Sequence, residues 1–258
     1  MRKDVNVCLF DPARKYFQIV LELENVPGAL KSAMEVIHGL DLNILGSFTS
    51  ADSAARVGVW SGFVEDGEYT AQDLKRKLGA SPAVHDAIVM ESNNGFLVDS
   101  VHFPVAFNNG TRAIMMGAGA AANMLSTMNE RFGTGGNVIL HEEGKTYGRE
   151  LGREYLLRLG ADFIMANLED VVKLYQALGW FRVEGAKAAP GWERVSVRAA
   201  DSFECAGVEA KVPHSHFVRG HLEGMLTVWL GKPMECREAL CIAKGDEVCE
   251  FTLTPRAP

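Results

Sequence analysis

Glu238-Ala239-Leu240-Cys241-Ile242-Ala243-Lys244-Gly245-Asp246-Glu247-Val248-Cys249-Glu250-Phe251 decides how the C-terminal half of this chain is read. Lys244 to Glu247 is a turn-forming run, and its flanks, Ala239 to Ala243 and Val248 to Thr254, read as the two strands of a hairpin. Cys241 and Cys249 stand symmetrically about Gly245. Hairpin pairing would make them cross-strand neighbours on one face, with Cβ atoms only ~5 Å apart. That spacing suits joint metal ligation, a disulfide, or two buried thiols. Glu238 is at an odd offset from Cys241, so in a regular strand it points to the opposite face. It joins the cysteines only if the strand bulges or bends between them.

Working back from this hairpin, His214 to Leu230 reads as a helix, and Phe181 to Glu184 and Val195 to Ala199 as strands of a meander turned at Pro190-Gly191. Asn167 opens a helix to Leu178, Gly148 to Leu159 is another, and Val138 to His141 is a short strand. The long stretch Thr111 to Phe132 is helical and rich in Ala, Gly and Met, and Gly133-Thr134-Gly135-Gly136 stops it. That glycine run follows a helix and lacks a Gly-Lys-Ser/Thr ending, so it is not a phosphate loop. Small residues let a neighbouring helix approach, and Met115, Met116 and Met124 either fill irregular core space or line a ligand pocket. Trp180, Phe181, Trp192, Phe217 and Trp229 supply aromatic surface. Most of it is core, with Trp229 taken as the ligand-lining candidate. His221 either packs or faces that pocket.

The N-terminal part has a different rhythm. Tyr16 to Leu23 is a strand, Ala29 to Leu40 a helix, Leu42 to Ser50 and Val57 to Val64 strands, Thr70 to Leu78 a helix with Thr70 as its N-cap, and Ala83 to Met90 a strand. The order βαββαβ is the ferredoxin-like one. Between the first strand and first helix stands Asn25-Val26-Pro27-Gly28-Ala29-Leu30, a tight turn in which glycine lets a ligand approach the backbone. The N–H groups opening the helix can hold a carboxylate. Glu91 to Phe96 is a short polar connection, so the expected domains are residues 14–93 and 97–256. The fold class expected is α+β: the βαββαβ domain, then an α/β ligand-binding domain with an antiparallel sheet packed on helices.

On the motif Asn25 to Leu30 the first domain resembles ACT domains, which implies an amino-acid-like effector at that turn and self-association. On Asp201-Ser202-Phe203-Glu204-Cys205, Gly220-His221-Leu222-Glu223-Gly224 and the closing run Glu238 to Phe251, the second resembles the 4-vinyl reductase family. That family is similar to sensor domains of phenol- and toluene-responsive activators and, in fold, to subunits of the transport-particle tethering complex. The resemblance implies an apolar or aromatic ligand, a homodimer, and a structural zinc ion. Glu238, Cys241 and Cys249 match its zinc ligands. The family's earlier cysteine aligns near Ser215, a poor ligand, so His214 or His216 is expected to complete the site, with Cys205 and Cys236 as further candidates.

Five cysteines, four of them in the last quarter of the chain, do not form the even framework of a secreted disulfide scaffold. No apolar run reaches the ~18 residues of a membrane span, and no signal-peptide stretch follows the charged start Met1-Arg2-Lys3-Asp4, so a cytoplasmic protein without a membrane partner is expected. A net charge of -7 argues against direct nucleic-acid binding unless a local basic patch exists, and the densest run, Lys75-Arg76-Lys77 beside Asp73, reads as a solvated helix face. No nucleophile elbow, zinc-protease motif or dinucleotide fingerprint is present. His141-Glu142-Glu143 reads as a solvated turn rather than an acid–base pair. The expected function is therefore ligand-responsive regulation with a small-molecule effector. The alternatives are a reductase or accessory factor acting on tetrapyrrole vinyl groups, and a dimerising scaffold.

Overall fold

Tyr16–Glu24 (β2) is buried at every position from Tyr16 to Leu21, as a central strand covered on both faces must be. It lies in a computed structural model that describes residues 3–51, 54–65, 67–107 and 110–256; Met1 and Arg2 of the charged start lie outside the described residues. The chain divides into the units Met1–Ala113 and Ile114–Pro258.

In the first unit β1 (Cys8–Phe10) precedes β2, followed by α1 (Ala29–Gly39), β3 (Asn43–Ser50), β4 (Val57–Glu65), α2 (Ala71–Gly79), β5 (Val84–Glu91) and β6 (Phe96–Val98). The antiparallel sheet has the order β3-β4-β2-β5. Phe17, Ile19, Leu21 and Leu23 alternate onto one face of β2 and pack with Ala33 and Ile37 of α1 and Leu74 and Leu78 of α2. Thr70 caps α2, its Oγ1 accepting from Asp73 N at 3.2 Å. Residues 91–96 are the end of β5 and a tight turn into β6, which pairs with β1. Gly95 has φ 74, and a Cβ there would land on the carbonyl of Asp11.

The second unit opens with α3 (Ala118–Phe132) and α4 (Thr134–Leu159), separated by Gly133. The helix expected from Thr111 starts only at Ala118, because Gly117 is extended (φ -65, ψ 133). The strand expected at Val138 to His141 does not form; those residues lie inside α4. The buried positions Gly136, Leu140, Gly144, Gly148 and Gly152 recur every four residues, a helical period that overrides the short apolar run. A short helix α5 (Ala161–Ala166) follows, and the helix expected from Asn167 to Leu178 is two short ones, α6 (Leu168–Val172) and α7 (Leu174–Ala177). Then come β7 (Arg182–Ala188), β8 (Val195–Ala200), a 3-10 turn (Phe203–Cys205), α8 (His216–Leu230), β9 (Met234–Leu240) and β10 (Cys249–Pro255). The antiparallel sheet has the order β7-β8-β10-β9. Val195, Val197, Phe251 and Leu253 form a core with Val218, Leu222, Met225 and Leu226 of α8.

Glycines let α4 and α8 touch backbone to backbone. A Cβ at Gly220 or Gly224 would strike the carbonyl oxygen of His141 or Lys145, and one at Gly144 or Gly148 that of Phe217 or His221. The molecule is thus a mixed α/β protein with antiparallel sheets packed on helices. Among the described residues no helix is long and apolar enough to cross a membrane.

Candidate functional site

The register of the closing hairpin shifts between Glu250 and Phe251: Glu250 pairs with Leu240, but Phe251 pairs with Glu238. Ala239 is therefore an extra residue in β9, a bulge that reverses the side-chain alternation beyond it. The bulge brings Glu238 to the same side as Cys241. Together with Cys249 at the start of β10 and Cys205 at the end of the 3-10 turn, it forms a buried group whose donor atoms all lie within 4.8 Å of one another. Cys205 Sγ is 3.7 Å from Cys241 Sγ and 3.8 Å from Cys249 Sγ. Three thiols and a carboxylate converging at this spacing can hold a metal ion.

Ser215 stands inside the group. Its hydroxyl donates to Glu238 Oε1 at 2.8 Å and lies 3.1 Å from Cys205 Sγ, while its N–H donates to Glu238 Oε2 at 3.1 Å. Backbone N–H groups of His214 and Ile242 reach Cys241 and Cys249, each at 3.4 Å. Hydrogen bonding from Cys205 and Cys249 holds the Cys241 thiol well below the usual range, contact with Cys205 and then Cys241 pushes Cys249 up, and contact with Cys241 pushes Cys205 up to about 12. Burial, then the charge of Cys241, raises Glu238 to about 7. A metal binding here must displace the thiol protons.

The other expected ligands lie elsewhere. His214 sends its backbone N–H to the group. The His216 ring turns towards Arg219, 3.4 Å from Nη2, and burial, with repulsion from Arg219, lowers it to about 4. Cys236 is buried outside the group, and its N–H donates to Glu223. Cys205, ten residues before Ser215, occupies the fourth corner from a separate segment. Its place in Phe203–Cys205, whose Glu204 accepts from Phe217 N and Val218 N at 2.8 Å each, is the local signal: one short turn both caps α8 and presents a thiol to it.

His221 on α8 is fully buried and forms the second feature. Its Nδ1 is 2.7 Å from Tyr175 Oη, and its ring lies 4.8 Å from Trp180, 5.1 Å from Tyr147 and 5.3 Å from Tyr175, with Phe217 at 6.5 Å. Nε2 is buried and has no hydrogen-bond partner among the described residues. Burial lowers His221 to about 3, so the ring is neutral and Nε2 is an unused donor or acceptor according to the tautomer. Tyr147 is 43% exposed, so the aromatic box reaches the surface there. Trp229 is outside it: its Nε1 donates to Gly152 O at 3.1 Å and seals α8 onto α4. In the first unit Asn25, Val26, Pro27, Gly28 and Leu30 form an exposed turn while Ala29 is buried, and Asn25 Nδ2 donates to Ala55 O at 2.9 Å. Gly28 has φ 95, a left-handed conformation that glycine adopts without cost.

Residues 195–255, which contain Cys205, Glu238, Cys241, Cys249 and His221, match the 4-vinyl reductase domain family, so the C-terminal part of the chain carries a domain of that type. The structure is similar to the phenol-responsive sensory domain of the transcription activator PoxR with phenol (18% identity, 58% of this chain and 83% of that one, TM-score 0.45). It is similar to a vinyl-4-reductase family protein from Methanocaldococcus jannaschii (18% identity, 56% and 99%, TM-score 0.36). A further similarity is to trafficking protein particle complex subunit 3 from Naegleria fowleri, covalently bound to palmitic acid (15% identity, 54% and 95%, TM-score 0.42). No curated protein matches the sequence.

Proposed function

We propose that this protein is a ligand-sensing regulator whose second unit binds a small, mostly apolar molecule carrying one hydroxyl, such as a phenol, against His221. The observation that carries this reading is the orphaned Nε2 of His221 inside an aromatic box, since buried polar atoms without a partner are rare and a ligand hydroxyl would satisfy this one. The 4-vinyl reductase domain supports it, because that family resembles the sensor domains of aromatic-responsive activators.

Zinc is the metal assigned to the Cys205, Glu238, Cys241 and Cys249 group. Bonds of ~2.3 Å to zinc place tetrahedral sulfurs ~3.8 Å apart, against 3.7 and 3.8 Å here. Four protein ligands leave no open position, so its role is structural: it would fix the start of α8, the helix that presents His221. The first unit is read as a ferredoxin-like ACT domain taking an amino-acid-like effector at Asn25 to Leu30. Its support is the βαββαβ order and the left-handed Gly28 before α1. In a homodimer each effector would act by binding one arrangement more tightly than the other.

The test is calorimetric titration of the full chain, purified without chelator, with phenol and with benzyl alcohol. Saturable binding is expected, weakened about tenfold by His221→Phe and reduced by Trp180→Leu, which leaves the Tyr175–His221 bond in place. Absence of saturable heat with both probes, or undiminished binding by both variants, would overturn the reading.

A further inference from the structure

Three arginines far apart in the sequence, Arg219, Arg237 and Arg256, line one cleft of about 370 Å³ in the second unit, together with His141 and His216. The cleft lies between α4, the first turns of α8 and β9, the edge strand of its sheet. Two carboxylates also reach it, and both are engaged. Glu223 is 2.5 Å from Lys145 Nζ, accepts from Cys236 N at 3.0 Å, and lies 3.4 Å from His141 Nε2. Glu235 is 3.1 Å from Arg237 Nε. Among the described residues neither Arg219 nor Arg256 has a carboxylate within ion-pair distance; Arg219 Nη2 lies 3.4 Å from His216 Nδ1.

Arg219 and Arg256 share this concave site without a carboxylate partner of their own among the described residues, so they offer positive potential there, and their fork geometry matches phosphate and carboxylate oxygens. The volume fits a metabolite rather than a macromolecule. We propose that this cleft binds a small organic anion through a phosphate or carboxylate group, held by Arg219 and Arg256 with Arg237 at the rim. The site is separate from the aromatic box. His216, Arg219 and Glu223 follow helical spacing along one face of α8, whereas Phe217 and His221 lie on another. The chain therefore offers an anion and an apolar ligand two faces of the same helix, and the inference does not rest on the proposed phenol site.

The experiment is titration calorimetry of the full chain with inorganic phosphate and, separately, with succinate, at low ionic strength. Saturable binding of at least one probe is expected, about tenfold weaker in Arg219→Gln and in Arg256→Gln and unchanged in Arg198→Gln, whose Nε is 3.9 Å from Glu250. Phosphate alone would assign a phosphorylated ligand, and succinate alone a carboxylate. Arg256 is exposed after the last strand, so its variant keeps the core intact and separates loss of the site from loss of the fold. No saturable heat with either probe, or binding that both variants retain in full, overturns the proposal.

Discussion

The turn Asn25–Leu30 and the Cys205–Glu238–Cys241–Cys249 group are both motifs in the sequence, but they stand in opposite physical settings. The turn is local: six consecutive residues, exposed except for Ala29, with a conformation set by one glycine. The Cys205–Glu238–Cys241–Cys249 group is non-local: three segments, buried donors, and a bulge without which Glu238 would face away. A surface turn gains little stability from its neighbours, so substitutions there should register in binding. A buried polar group is stable only when every member is satisfied, so substitutions there should register first in folding.

If the group holds the proposed zinc ion, the largest effect should come from that ion. Removing it with a chelator, or replacing Cys205 or Cys241 by Ser, should destabilise the second unit by about 4 kcal/mol where free zinc stands about 1,000-fold above its Kd. Segment-resolved hydrogen exchange should show the loss around α8 and the hairpin and leave β2 of the first unit protected. Zinc content near one per chain that survives Cys205→Ser would remove Cys205 from the ligand set.

Next in size is the helix contact. Gly220→Val or Gly224→Val forces a side chain onto the backbone of α4 and should cost about 3 kcal/mol, read from denaturant midpoints. A smaller pH effect should follow from His221, which burial lowers to about 3. A histidine with a depressed folded-state value contributes stability that is complete above its ordinary value of 6.5 and is lost as pH falls from there towards 3. At about pH 5 the loss should be about 2 kcal/mol, and His221→Gln should flatten that part of the profile. The smallest effects belong to the turn: Gly28→Ala should cost about 1 kcal/mol for its left-handed φ. Val26→Ser should stay within ~0.5 kcal/mol yet alter binding of an amino acid probe, if the ACT reading holds.

Much of this was legible because it is local. The elements from Tyr16 to Glu91 and the Thr70 cap each follow from periodicity or turn chemistry within a short stretch of chain. The strand expected from Ala239 to Ala243, by contrast, does not form as such: β9 ends at Leu240, a 3-10 turn follows at Ile242–Lys244, and Cys241 is not paired with Cys249 across strands. The bulge between Glu238 and Cys241 was legible as a requirement, though not as an event. Val138 to His141 reads as a strand because a short apolar run looks like one when seen alone; the small and apolar residues spaced along one helical face from Gly136 to Gly152 were the stronger signal. Choosing Trp229 over Trp180 among the aromatics was a choice between residues of equal composition, and only their neighbours separate them.

The sequence by itself determined most strands and helices, since these depend on spacing along one stretch of chain, while Glu238, Cys241 and Cys249 were picked out by a family resemblance and stand close together in the fold. The tertiary structure alone decided that Cys205, rather than a histidine, completes the buried group. It also decided that His221 lies among Tyr147, Tyr175 and Trp180, and that Arg219 and Arg256 share a cleft. Those juxtapositions join residues tens of positions apart, and they arise only when the helices, the 3-10 turn and the closing strands of the second unit pack together, as α4 and α8 do through their glycines.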